Sequence, residues 1–195
     1  MMIILASKSG VRKDILDKHD VSCKVIPSNV DEDQVKDSLL MEGADPELIS
    51  KNLAELKSVK VSRNNPDILV LGADSVISLN NTLINKPNSR EEAFEILRKL
   101  NGKIHFLISS VCISKNGSMI WNYTDKSELR MKIHNENQLK EYLAKIKTEI
   151  LMSYGVYQIE AGGLNLFETI KGDRESIMGL PIKQIKRYIK NYKYD

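Results

Sequence analysis

Two short, unbroken apolar runs, each stopped by small polar residues, constrain this chain more than any other feature. Met2-Ile3-Ile4-Leu5-Ala6 gives way to Ser7-Lys8-Ser9-Gly10, and Asp67-Ile68-Leu69-Val70-Leu71-Gly72 gives way to Ala73-Asp74-Ser75. An apolar run without polar alternation has no face to spare for water, so each reads as a buried strand. Helical spacing follows the first run, with Val11, Ile15 and Leu16 apolar and Ser9 placed as N-cap. A longer helix spans 46 to about 63, with Leu48, Ile49, Leu53, Leu56 and Val59 on its apolar positions and Pro46 in its first turn. Strands alternating with helices place the chain among α/β proteins.

The remaining segments extend that pattern. Ser22 to Ile26 reads as a strand and Pro27 to Asp33 as a polar, acidic loop. Asn80-Asn81 between Ile77-Ser78-Leu79 and Thr82-Leu83-Ile84 signals a hairpin. Ser89-Arg90-Glu91-Glu92 is a capping box that opens a helix through Leu100. Strands at 104–113, 119–124 and 129–133 around the Lys115-Asn116-Gly117 turn predict an antiparallel stretch. A helix at 136–146, a strand at 164–170 and an amphipathic helix at 182–192 close the chain. There is no internal repeat and no linker, so the 195 residues are read as a single domain over 1–195.

Composition excludes several classes. With 29 Lys+Arg against 26 Asp+Glu, the net charge of +3 is far below the loading of a dedicated nucleic-acid binder. The C-terminal helix carries Lys183, Lys186, Arg187 and Lys190, which read as a solvated face, and nucleic acid is not an expected partner. Cys23 and Cys112 lie far apart in apolar runs and read as buried free thiols rather than a disulfide or zinc site. His19 and His134 read as surface residues and His105 as strand packing. No run reaches the roughly 18 apolar residues that a membrane span requires, and the first apolar stretch is too short for a signal core. No membrane partner is expected, and the expected compartment is the cytoplasm.

Ligands of open α/β sheets sit at strand ends, which directs attention to three places. Ser7-Lys8-Ser9-Gly10-Val11-Arg12-Lys13 offers hydroxyls, cations and free helix N–H groups to phosphate oxygens, or is simply a capped helix with a basic face. Asp74, emerging from an apolar strand, is either a base or metal ligand or a turn aspartate bonding its own backbone. Asn85-Lys86-Pro87 presents a cation just before a fixed turn. Val30-Asp31-Glu32-Asp33 could supply hard oxygens to Mg²⁺ or Mn²⁺, although acidic loops are commonly just solvated. Glu160 lies in the glycine-rich run from Gly155 to Gly163.

Taken in order, these pieces resemble the Maf family of nucleoside triphosphate pyrophosphatases, also called septum formation inhibitor proteins. Leu5-Ala6-Ser7-Lys8-Ser9-Gly10-Val11-Arg12-Lys13 is similar to the family's Leu-Ala-Ser-x-Ser-Pro-x-Arg-Arg opening, with Gly10 in place of proline and Lys13 in place of the second arginine. Val30-Asp31-Glu32, Leu53-Ala54-Glu55-Leu56-Lys57, Ala73-Asp74-Ser75-Val76, Asn85-Lys86-Pro87 and Gly179-Leu180-Pro181 follow the family's further motifs across essentially the whole chain. Met152 and Ser153 stand where many members have aspartate and lysine. Glu160, with Gly163 and Leu166-Phe167-Glu168, is similar to the branch that prefers 7-methyl-GTP, while Ser75 is closer to the threonine of the dTTP/UTP-preferring branch.

The resemblance implies an α/β fold of the Maf/ITPase-like kind, a mixed, twisted β-sheet flanked by helices with two lobes around a central cleft, and a homodimer. It implies hydrolysis of an ordinary or modified nucleoside triphosphate between the α- and β-phosphates, a house-cleaning reaction. Ser9, Arg12, Lys57 and Lys86 are then the phosphate-binding residues, and Arg12 can fork onto two oxygens. Asp74 is the catalytic base, Glu32 and Asp74 hold a divalent metal cation, Mg²⁺ or Mn²⁺, and Val11, Ser75 and Glu160 select the base. A carboxylate of ordinary pKa, about 4, is a weak base, which makes metal assistance chemically sensible. The alternative is a catalytically degenerate nucleotide-binding or cell-division regulatory protein, favoured by the changes at Gly10, Met152 and Ser153 and opposed by the intact Asp74, Lys57, Lys86 and Glu32.

Overall fold

The computed structural model describes residues 2–159 and 162–192. The two apolar runs become neighbours: β1 (Ile3–Leu5) lies between β2 (Cys23–Val25) and β3 (Val70–Leu79), parallel to both. From β3 onward the sheet is antiparallel, through β5 (Ile104–Lys115), β6 (Ser118–Met131) and β7 (Phe167–Lys171). The remaining strand, β4 (Thr82–Ile84), folds back on the end of β3 through Asn80 and Asn81, both at positive φ as such a turn demands. The result is a seven-stranded mixed sheet of order β2-β1-β3-β5-β6-β7, with β4 beside β3.

Helices cover both faces. Leu71 and Ala73 of β3 point to the face where Ile182, Ile185 and Ile189 of α8 (Ile182–Tyr192) complete the core together with Ile15 and Leu16 of α1 (Gly10–Lys18). On the opposite face lies α3 (Pro46–Ser62), started by Asp45, whose side chain accepts from Leu48 N at 2.8 Å. This helix touches the β3 backbone: a Cβ at Gly72 would stand 2.1 Å from the Ala54 carbonyl oxygen and 2.7 Å from Ser58 N. A second core forms where the far ends of β5 and β6 meet α4 (Arg90–Leu100), α5 (Glu136–Ala144) and α6 (Thr148–Tyr154). Buried His105 lies there 3.0 Å from the Tyr157 hydroxyl, and Tyr157 meets Phe167 edge-on at 4.9 Å. These two cores are the two lobes.

Several boundaries differ from the sequence reading. Asp67–Gly72 and Ile77–Leu79 are not separate strands; β3 begins at Val70 and runs unbroken to Leu79, because β5 pairs with it from Val70 to Ser78. Likewise β6 is one strand where two were expected. The loop read over 27–33 ends early, since Asp31 caps α2 (Glu32–Met41) by accepting from Gln34 N at 3.0 Å. No residue of α2 is buried, so the sequence carries no core-facing stripe to betray it. The strand expected from Leu164 starts instead at Phe167, after a 3-10 turn over Gly163–Leu166. A four-residue helix, α7 (Arg174–Ile177), was likewise not expected. Cys112 is a buried free thiol as expected, whereas edge strand β2 leaves Cys23 only half-buried. No helix among the described residues is long and apolar enough to cross a membrane.

Candidate active site

Where β1 stops, the sheet opens. Ala6 N donates to the Leu71 carbonyl at 2.8 Å, and beyond it the chain leaves β3 and turns into α1. Ser7 Oγ accepts from Ser9 N at 3.2 Å, and Ser9 Oγ caps α1 by accepting from Arg12 N at 3.4 Å. The N-terminal end of α1 therefore faces the gap beside β3. Arg12 lies across that gap. Its Nη1 donates to the Ala73 carbonyl at 3.0 Å and to Ser7 Oγ at 3.2 Å, its Nη2 to Ser75 Oγ at 3.1 Å, and its Nε to the Gly179 carbonyl at 3.0 Å. Desolvation lowers the guanidinium pKa from its ordinary value, opposed by the charges of Asp74 and Glu32.

Asp74 is not at a strand end but in the middle of β3, opposite Ser110. Its side chain points to the α3 face, where the Gly72 contact brings the helix close enough for Lys57 to reach it. Lys57 Nζ stands 2.8 Å from Asp74 Oδ1 and 2.8 Å from Glu32 Oε1. The side chains of Lys57 and Asp74 are only 6% and 7% exposed, so this is a buried ion pair that Glu32 joins from the cleft. Asp74 Oδ2 is buried and has no hydrogen-bond partner among the described residues. For Glu32, partial burial pushes the carboxyl up, but Lys57, Lys86 and Lys36 together outweigh it and hold the group below its ordinary pKa. Lys86 is exposed at the cleft mouth. Desolvation by the walls lowers its pKa first, with Arg12 and Lys36 pushing the same way and Glu32 and Asp74 opposing.

These groups share one cleft of about 490 Å³, lined also by residues 152–159 of the second lobe. Of the residues singled out in the sequence, Ser9, Val11, Arg12, Glu32, Lys57, Asp74, Ser75 and Lys86 all border it, and Glu160 lies outside the described residues. Asp31 and Asp33 do not border it: the first caps α2, and the second is exposed beside Lys36. Sequence reasoning missed Lys36, which shares a helix face with Glu32 and lines the cleft. The Asp31-x-x-Gln34 spacing was the available signal. It also missed Gln158 and Tyr154; the Tyr154 hydroxyl stands 3.9 Å from where a Cβ on Gly10 would be.

Among the described residues no group of three or more His, Cys, Asp or Glu forms a self-sufficient metal cage. Glu32 and Asp74 provide hard oxygens, and Asp74 Oδ2 has no partner among the described residues. That set suits a small divalent cation whose other positions are filled by water and phosphate oxygens.

Comparison with known proteins shows the family. The chain matches the family model described as Maf-like protein over residues 2–192. It is 60% identical, over 188 residues and 96% of both chains, to a nucleoside triphosphate pyrophosphatase of Pelagibacter ubique (strain HTCC1062). It is 34% identical, over 92% of this chain and 90% of the other, to a 7-methyl-GTP pyrophosphatase of Brucella abortus biovar 1 (strain 9-941). Among solved structures, a HAM1 protein from Coxiella burnetii superposes with a TM-score of 0.54 at 12% identity, covering 98% of this chain and 99% of the other, and so shares its fold. With the family match running from the first described strand to the last helix, this chain belongs to the Maf-like protein family.

Proposed function

We infer that the protein is a nucleoside triphosphate pyrophosphatase, converting a nucleoside triphosphate and water to the monophosphate and pyrophosphate. The observation that carries the chemistry is Asp74, one oxygen of which has no hydrogen-bond partner among the described residues, in a cleft also lined by Lys8, Lys36, Lys57 and Lys86. A triphosphate is the polyanion such a cleft favours, and the charge spread over phosphoryl oxygens in the transition state is stabilised by cations fixed in advance. Lys86 and Lys36 hold the phosphates, with the Ser9 hydroxyl and the N-terminal turn of α1 beside them. Lys57 orients both carboxylates through its two ion pairs.

Asp74, which borders the cleft, accepts the proton of the attacking water. The water oxygen forms a bond to the innermost phosphorus, the bond from that phosphorus to the bridging oxygen breaks, and pyrophosphate leaves. Glu32 and Asp74 would hold Mg²⁺ or Mn²⁺, which when bound supplies positive charge to the phosphate oxygens and lowers the pKa of water. Val11 and Ser75 border the cleft where they can contact the base.

The test is a panel of 7-methyl-GTP, GTP, dTTP and UTP with Mg²⁺ or Mn²⁺, with pyrophosphate and orthophosphate assayed separately. Pyrophosphate and monophosphate in equal amounts are expected; orthophosphate alone contradicts α–β cleavage. Asp74→Asn is expected to lower kcat by about 10²-fold or more, and near-wild-type turnover removes Asp74 from the proton-accepting role.

A further inference from the structure

The Gly179-Leu180-Pro181 turn contributes no charge to the cleft, yet it stands against the most heavily bonded side chain there. We propose that Arg12 and Gly179 are a positioning pair that fixes the Ala73–Ser75 stretch of β3 around Asp74, and that the Arg12 fork serves this backbone rather than the phosphates. The inference rests on the pyrophosphatase reading above. After the Leu5–Leu71 pairing, β1 diverges, so the next β3 carbonyl on that side, Ala73 O, has lost its strand neighbour. Arg12 Nη1 takes the vacated place at 3.0 Å, and Nη2 holds Ser75 Oγ at 3.1 Å. Both residues flanking Asp74 are thereby gripped by one planar group.

The far side of that group is fixed by Gly179. Its carbonyl accepts from Nε at 3.0 Å, and its φ of +100° is a conformation in which a side chain is strained. A Cβ there would lie 3.2 Å from Ser75 Oγ and 3.4 Å from Arg12 Nε, so the close approach of the turn depends on glycine. Four protein acceptors are served by the five donors of the guanidinium. A phosphate could gain a second bond from Arg12 only by breaking one of these.

The experiment uses the full chain with Arg12→Gln, Arg12→Lys and Gly179→Ala, and Lys86→Gln as the phosphate-contact reference. Three quantities are measured: kcat and KM for the best nucleotide, the Kd of pyrophosphate by calorimetry, and hydrogen exchange in the segment 70–79. A misplaced Asp74 should lower kcat about 10²-fold in Arg12→Gln and about tenfold in Gly179→Ala. Exchange should speed up locally in 70–79 in both. The pyrophosphate Kd should stay within about threefold of wild type in both, while Lys86→Gln weakens it about tenfold.

The proposal is overturned if Arg12→Gln weakens pyrophosphate as much as Lys86→Gln does. It is equally overturned if Gly179→Ala keeps wild-type kcat and wild-type exchange. Should Arg12→Gln not fold, Arg12→Lys decides, since lysine keeps the charge but cannot span the same acceptors; wild-type kcat in that variant overturns the proposal. Wild-type protein that releases no pyrophosphate sinks the functional reading alone, because exchange and pyrophosphate affinity still report on the pair.

Discussion

Lys57 shows how much of the site depends on one side chain. It is a lysine buried between two carboxylates, 2.8 Å from each; the Leu53-Ala54-Glu55-Leu56-Lys57 motif marks it in the sequence, but as a phosphate ligand and not as the partner of two acids. Removing it leaves the buried Asp74 carboxylate without its partner, with Glu32 nearby at the cleft wall. Lys57→Met should therefore cost about 3 kcal/mol of stability at neutral pH, read from urea denaturation, and a wild-type midpoint would show that the pair contributes nothing. Asp74 was legible as a reactive candidate because it follows an apolar run. Its surroundings were not legible, because Lys57, Glu32 and Lys86 lie on three elements that meet only in the folded chain.

Among the elements, α3 and β3 set the catalytic geometry through Gly72. A methyl group there collides with the Ala54 carbonyl and Ser58 N, both backbone atoms that cannot rotate away. Gly72→Ala should destabilise the fold by about 2 kcal/mol and lower kcat as α3 withdraws Lys57 from Asp74; unchanged stability and turnover together would rule out this packing. In β5, burial pushes the His105 imidazole pKa down to about 4 from 6.5, against a smaller upward pull from the Lys103 backbone. Above pH 6.5 neither state takes a proton. Between 6.5 and 4 only the unfolded chain does, so stability falls as pH drops through that window, by about 3 kcal/mol in all. His105→Leu should flatten the difference between urea midpoints at pH 7 and pH 5, and an unaltered slope would show that other groups set it. The apolar runs and the caps at Ser9 and Asp45 were readable because they are local rules. The helix α2 was not, since it buries nothing.

For the whole molecule, the net charge of +3 is small, yet among the described residues five cations and two carboxylates line the cleft. Attraction of a polyanion by that imbalance is screened by salt, so kcat/KM should fall by roughly an order of magnitude over a tenfold rise in salt. A salt-independent kcat/KM would mean that these charges are neutralised within the protein. The sequence by itself determined the alternation of buried strands and amphipathic helices, the family motifs and the chemical types of the site residues, because propensity, capping and periodicity act over a few neighbouring residues. Only the tertiary structure decided that Asp74 sits mid-strand, that Lys57 is locked between two acids and that Gly179 meets Arg12 across 167 positions of chain. Such contacts follow from where strands diverge and how closely backbones pack, and those distances are set only when the whole sheet closes.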